Sequence, residues 1–245
     1  MRRAFLLAAV GLAMGAAGSA SPATLVLDRP RPLSRDIAAF PRIAAPADAA
    51  SGRINAALAR LDRAALRAAA ECRAEARQAG AAGSDWERTI AVTMKGPRLL
   101  SYLVSDGYFC GGAHPDAEAW PLVFDLATGS PVDWARFLPP PLVGKPATDT
   151  EPQTAGRISL ASPRLHALYM ALYRNADPDC REAMADLPEP AAASIWPEPA
   201  KSGLAVNFEV ANAMAVCAGP VIIPLPRLRT LGASPDLIAA LAAAR

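Results

Sequence analysis

Four cysteines, Cys72, Cys110, Cys180 and Cys217, constrain this chain more than any other feature, because of the segment that precedes them. The chain begins MRRAFLLAAVGLAMGAAGSASPATLVL. Arg2 and Arg3 form a short positive region, Ala4 to Ala17 an uncharged apolar run, and Gly18, Ser19 and Ala20 a small-residue cleavage site before Ser21. That is the pattern of a secretory signal peptide. The apolar run is about fourteen residues, short of the roughly twenty a membrane span needs. No cysteine stands at the cleavage point to carry a lipid. The expectation is an exported, periplasmic or secreted protein with residues 1–20 removed and no membrane span afterwards.

In an oxidising compartment an even number of cysteines reads as disulfides, and four allow three connectivities. The simplest is Cys72–Cys110 with Cys180–Cys217, each closing a loop of just under forty residues. In the chain-entropy model a loop of that size contributes about 4 kcal/mol.

Arg2 and Arg3 account for the whole formal excess of +2, so the processed chain is neutral. Phosphate binding needs a basic surplus on one face, and nucleic acid is not an expected partner. About 225 residues remain, enough for one large or two small domains. Abundant alanine and proline, with arginine far ahead of lysine, point to a GC-rich bacterial genome and a Gram-negative periplasm.

From Ser51 to about Ala76 the residues Ile54, Leu58, Leu61, Ala65, Ala68 and Cys72 recur at three- and four-residue steps, the spacing of an amphipathic helix. Arg53, Arg60, Arg63 and Arg67 fall on its other face. A basic stripe can hold an anionic polymer; a solvated helix face is its commoner cause. The period then changes. Ile90, Val92 and Met94 alternate with Ala91 and Thr93, Lys95-Gly96-Pro97 is a turn, and strands follow over Leu99 to Phe109 and Ala119 to Asp125. This predicts an antiparallel meander. Pro139 to Gly156 reads as an extended loop. Ser162-Pro163 starts a central helix to about Asn175, and a short helix carries Cys180 to Met184. Strands are expected around Ile195 to Pro197, over Leu204 to Val210 and over Val216 to Ile223, with a closing helix from Ser234-Pro235. The order predicts an α+β fold: antiparallel sheets packed with an N-terminal amphipathic helix and a second central helix, held by two disulfides.

The stretch FCGGAHPD, Phe109 to Asp116, carries the question of function. Cys110 and His114 offer a thiolate and its base only if the sulfur is free. Two histidines in the whole chain, His114 and His166 in separate elements, fall short of a zinc set. Glycines suit a sharp exit from a strand, Pro115 fixes the next turn, and His114 then holds backbone groups of the loop. Asp116, Glu118 and Asp125 are close in sequence, but nothing in the spacing fixes a catalytic pair. Tyr108, Trp120, Trp134 and Trp196 are candidates for stacking on sugars, with burial in the core as the ordinary alternative. Gly-x-Ser-x-Gly, Gly-x-Gly-x-x-Gly and P-loop patterns are absent. No catalytic residue, metal or cofactor is expected.

Several stretches together resemble one family. AAFPRIAAPADAASGRINAALARL is similar to the N-terminal module of the extracytoplasmic domain shared by the RsiV anti-sigma factor and the PdaC peptidoglycan deacetylase. Gly111, Gly112, Ala113, His114 and Pro115 match the Gly-Gly-Ala-His-Pro loop of its second module, and Asp125, Thr128 and Gly129 match a following turn. SGLAVNFEVANAMAVCAGPVIIPLPRLR resembles the closing hairpin. The resemblance implies residues 21–85 as an N-terminal module continuing into the sheet and 86–245 as an RsiV-like C-terminal module. It implies an exported, non-catalytic domain that binds a cell-envelope ligand, a lysozyme-like protein or a peptidoglycan fragment, with residues 111–115 as the candidate contact loop. The alternatives are an exported hydrolase of envelope polymers, acting through Cys110 and His114 or nearby acids, and a purely structural envelope protein.

Overall fold

A computed structural model describes residues 25–244, so the leader expected at residues 1–20 lies outside the described residues. Two short strands, β1 (Leu27–Asp28) and β2 (Arg42–Ile43), pair beside helix α1 (Ala49–Gln78). Asp48 starts the helix by accepting from the Ser51 amide at 2.7 Å. The periodic residues Ile54, Leu58, Leu61, Ala65 and Cys72 are buried, and the predicted arginine stripe faces outward.

The meander follows as β3 (Asp85–Lys95), β4 (Leu99–Phe109), β5 (Asp116–Asp125) and β6 (Ser130–Pro131), paired in that order and antiparallel. Side chains alternate between the faces of a strand. Leu100, Tyr102 and Val104 of β4, with Trp120, Leu122 and Phe124 of β5, pack against Ile54, Leu58 and Leu61 of α1. The expectation that Ile90, Val92 and Met94 share one face holds for Ile90 and Val92, which pair with Val104 and Tyr102, and fails at Met94. The register shifts between Val92 and Met94, and the extra residue turns the strand over. Ile90 packs on the helix side, Met94 joins the opposite core with Leu99 and Val123, and Val92 is left exposed.

After α2 (Pro140–Val143) comes a second antiparallel sheet: β7 (Lys145–Thr148), β8 (Ile158–Ala161), β9 (Ala192–Glu198), β10 (Gly203–Phe208) and β11 (Val221–Pro224), ordered β11-β10-β9-β8-β7. Helices α3 (Pro163–Leu172) and α4 (Pro178–Ala185) lie between β8 and β9, and α5 (Leu225–Leu231) and α6 (Pro235–Ala243) follow β11. Ser162 and Ser234 cap α3 and α6, each followed by proline, as the sequence predicts.

Tyr173 takes an extended conformation and stops α3 three residues before Asn175. β7 occupies part of the expected loop; its four residues are all exposed, so no burial pattern marked it. The strand expected over Val216 to Ile223 begins only at Val221, because the segment before it turns back on itself and Cys217 is tied to Cys180. A large core gathers Leu99, Val123, Trp134, Leu160, Leu204 and Leu241 from both sheets and the later helices. The fold is α+β with both predicted disulfides, Cys72–Cys110 and Cys180–Cys217, at Cα separations of 4.6 and 5.0 Å. The boundary expected at residues 85–86 falls on the first residues of β3.

Candidate binding cleft

The β4–β5 connection is the Gly-Gly-Ala-His-Pro loop. Cys110 is bonded to Cys72 of α1, so it has no thiol with which to attack a substrate, and no described cysteine is free. Gly111 has φ +88°, and a Cβ there would lie 2.8 Å from the Ala76 Cα, so the chain can press onto the end of α1 only with glycine. Gly112 faces open space, and its neighbours Ala113, His114 and Pro115 are exposed. His114 meets the expectation that it holds backbone groups of the loop at a single group. Its ring reaches only the Pro115 carbonyl, at 2.9 Å. His166 lies elsewhere, buried against the Met184 carbonyl at 2.8 Å.

The strand residues flanking this loop, Tyr108 and Asp116, line a cleft of about 740 Å³ between the two sheets. Tyr108 stacks on Trp86 with ring centres 4.9 Å apart, and its hydroxyl donates to Asp116 at 3.4 Å. Burial, then the carboxylates of Asp116 and Glu118, push the Tyr108 hydroxyl above the ordinary phenol range. Glu87, Thr89 and Ser105 bring in the face of the first sheet turned away from α1, whereas Asp106, Tyr108, Asp116 and Glu118 alternate to the α1 side with Trp120 and meet the cleft where β5 has no partner on its outer edge. Across the cleft stand Ser194, Asn207 and Glu209, with Ala215, Ala218 and Pro220 forming a wall. Ser194 donates to Glu209 at 3.3 Å.

The charge of this cleft is one-sided. Glu87, Asp106, Asp116, Glu118 and Glu209 line it, against one guanidinium, Arg157. Asp106 is neutralised by Arg88, and Arg157 is itself held by Asp149 at 2.8 Å. Burial, then the negative charge of Asp106, raises the Glu118 carboxyl above its usual 4.5; the guanidinium groups of Arg157 and Arg88 oppose this. A fold whose charges nearly balance therefore concentrates negative potential at one concave surface.

The structure does not gather all the residues the sequence singled out. Asp116 and Glu118 reach the cleft; Asp125 lies at the far end of β5, buried between Arg98 and Arg136 at 2.9 and 3.3 Å. Of the four aromatics, Trp120, Trp134 and Trp196 are core residues, and only Tyr108 meets the cleft. The opposite wall, Ser194, Asn207 and Glu209, carried no motif. Its only trace was strand alternation in β9 and β10, which places polar side chains between buried apolar ones. Among the described residues no group of three or more His, Cys, Asp or Glu converges to hold a metal ion, and no helix is long and apolar enough to cross a membrane.

No protein-family model matches the sequence, and no curated protein matches it either. A solved structure does match in fold. A member of the DUF3298 family from Bacteroides fragilis superposes with a TM-score of 0.54 at 14% identity, covering 83% of this chain and 87% of that one. The fold is of the DUF3298 type. A second DUF3298 family protein, from Pseudomonas aeruginosa, matches at a TM-score of 0.40 and 15% identity over 63% of this chain and 64% of its own.

Proposed function

We propose that this chain is an exported, non-catalytic recognition domain that binds a basic, lysozyme-like protein through the acidic cleft. The observation that supports the reading is the excess of carboxylates over guanidinium groups in the lining, above all Glu87, Asp116, Glu118 and Glu209. Charge complementarity steers a cationic partner toward such a surface and repels an anionic one. Of the two envelope ligands implied by the resemblance to the RsiV and PdaC domain, a basic protein suits this potential better than a peptidoglycan fragment bearing carboxylates of its own. Two disulfides fit an oxidising compartment, in keeping with the leader-like sequence of residues 1–20. The exposed residues Gly112 to Pro115 lie between Tyr108 and Asp116 of the cleft lining, where a docked protein would meet them.

The test is retention of hen egg-white lysozyme, and separately of soluble muropeptides, on the immobilised protein. The reading expects lysozyme to be retained at low salt and released as salt rises, with muropeptides passing through. Retention of muropeptides alone overturns the choice of partner.

The raised carboxyl of Glu118 beside Asp116 is the one observation that favours the alternative, a hydrolase of envelope polymers. Release of soluble fragments from purified peptidoglycan, lost in Glu118→Gln, is the result that reading requires.

A further inference from the structure

We propose that the outer face of α1 docks this domain onto an anionic lipid surface. Arg60, Arg63 and Arg67 follow one another at three- and four-residue steps, so they form one stripe about 10 Å long. All three are exposed, and none joins any ion pair among the described residues. Arg53 continues the stripe toward the helix start, where it donates to the Thr128 carbonyl.

The same helix supplies its own control. Farther along, Glu71 and Glu75 alternate with Arg73 and Arg77, the mixed-sign pattern of a solvated face. From Ala49 to Ala70 the single acid is Asp62, which is buried on the other side and engaged by Arg42 and the Phe40 amide. Between Ala49 and Ala70 no acid of the helix opposes the outward positive charge; the first, Glu71, comes one turn after Arg67.

Two features select a lipid surface over an anionic polymer. Leu66, 39% exposed, lies one turn beyond Arg63 along the margin of the stripe. An apolar side chain bordering a row of guanidinium groups matches the boundary between phosphate headgroups and acyl chains. The stripe also lies on a convex helix surface, outside the acidic cleft and the two cavities lined by Leu172 and Ile222 and by Leu25 and Ala244. No residue of α1 lines the acidic cleft, and the arginine stripe points away from the sheet on which the helix packs. Docking through α1 leaves that cleft clear, and the inference stands whether or not the cleft binds a basic protein.

Sedimentation of the full processed chain with vesicles tests this. It should bind phosphatidylcholine vesicles containing phosphatidylglycerol, leave pure phosphatidylcholine vesicles unbound, and dissociate as salt is raised. Each Arg→Gln change at 60, 63 or 67 should weaken binding about fivefold. Leu66→Ser should weaken it as well, with thermal unfolding unchanged in every variant. No binding to the phosphatidylglycerol vesicles overturns the proposal, as does equal binding by the triple arginine variant. Tighter binding to soluble polyphosphate than to vesicles, indifferent to Leu66→Ser, also overturns it and makes the stripe a polymer site.

Discussion

Arg88 of β3 and Asp106 of β4 face each other across the first sheet in a two-pronged pair, Nε to Oδ1 at 2.6 Å and Nη2 to Oδ2 at 2.8 Å, with essentially no solvent contact. Trp120 adds its indole N–H to Asp106 at 3.2 Å. Removing one partner strands a buried charge, so Asp106→Ala should cost about 3–5 kcal/mol in denaturant unfolding. Replacing both, as Arg88→Met with Asp106→Leu, should recover most of that loss, because the desolvation of both charges disappears with them. A double variant as unstable as Asp106→Ala contradicts this account of the pair.

What the sequence made legible was whatever local periodicity or covalent logic controls. Helix α1 showed in its three-four spacing, the capped starts of α3 and α6 in Ser-Pro, and the disulfide pairing in cysteine order. The layering of two sheets was not legible, because it depends on contacts between distant strands. The Val92 bulge shows why alternation alone misleads: one inserted residue reverses every later side chain. The cleft was half visible. Tyr108, Asp116 and Glu118 lie beside a recognisable loop, whereas Ser194, Asn207 and Glu209 meet them only through sheet packing.

Glu118 gives the stability a definite pH dependence. Its folded carboxyl titrates above 4.5 because burial disfavours the charged form. The folded state therefore binds the proton more tightly than the unfolded chain. That contribution is fully present below 4.5 and is lost as pH rises through the higher folded value. Glu118→Gln should accordingly be more stable than the parent at neutral pH, with the advantage vanishing in acid. Denaturant midpoints measured at both ends check it; a variant equally less stable at both argues instead for a packing role.

The two disulfides should separate in their effect on binding. Cys72→Ala with Cys110→Ala, and Cys180→Ala with Cys217→Ala, should each lower stability by about 2–4 kcal/mol. Cys217 lies in the segment that carries Ala215, Ala218 and Pro220 into the cleft wall. Loss of the second bridge should therefore weaken lysozyme binding more than loss of the first. Equal affinities for the two variants would show that this wall does not need its covalent tie.

Within the Gly-Gly-Ala-His-Pro loop, the glycine that touches α1 should matter more than the histidine. Gly111→Ala combines a positive φ with backbone contact at Ala76 and should cost about 1–3 kcal/mol. His114→Ala removes an exposed ring and should stay within about 0.5 kcal/mol of the parent. Thermal unfolding of the two single variants decides between this ranking and its reverse.

The central claim is that the carboxylates of the cleft recognise a basic protein. Calorimetric titration of hen egg-white lysozyme into the parent and into Glu87→Gln with Glu209→Gln tests it most directly, since both glutamates are exposed and their loss leaves the core intact. The account predicts saturable binding to the parent, an affinity about tenfold lower in the variant, and a shallower dependence on salt. Unchanged affinity and salt dependence in the variant, or no binding by the parent at low salt, would contradict it.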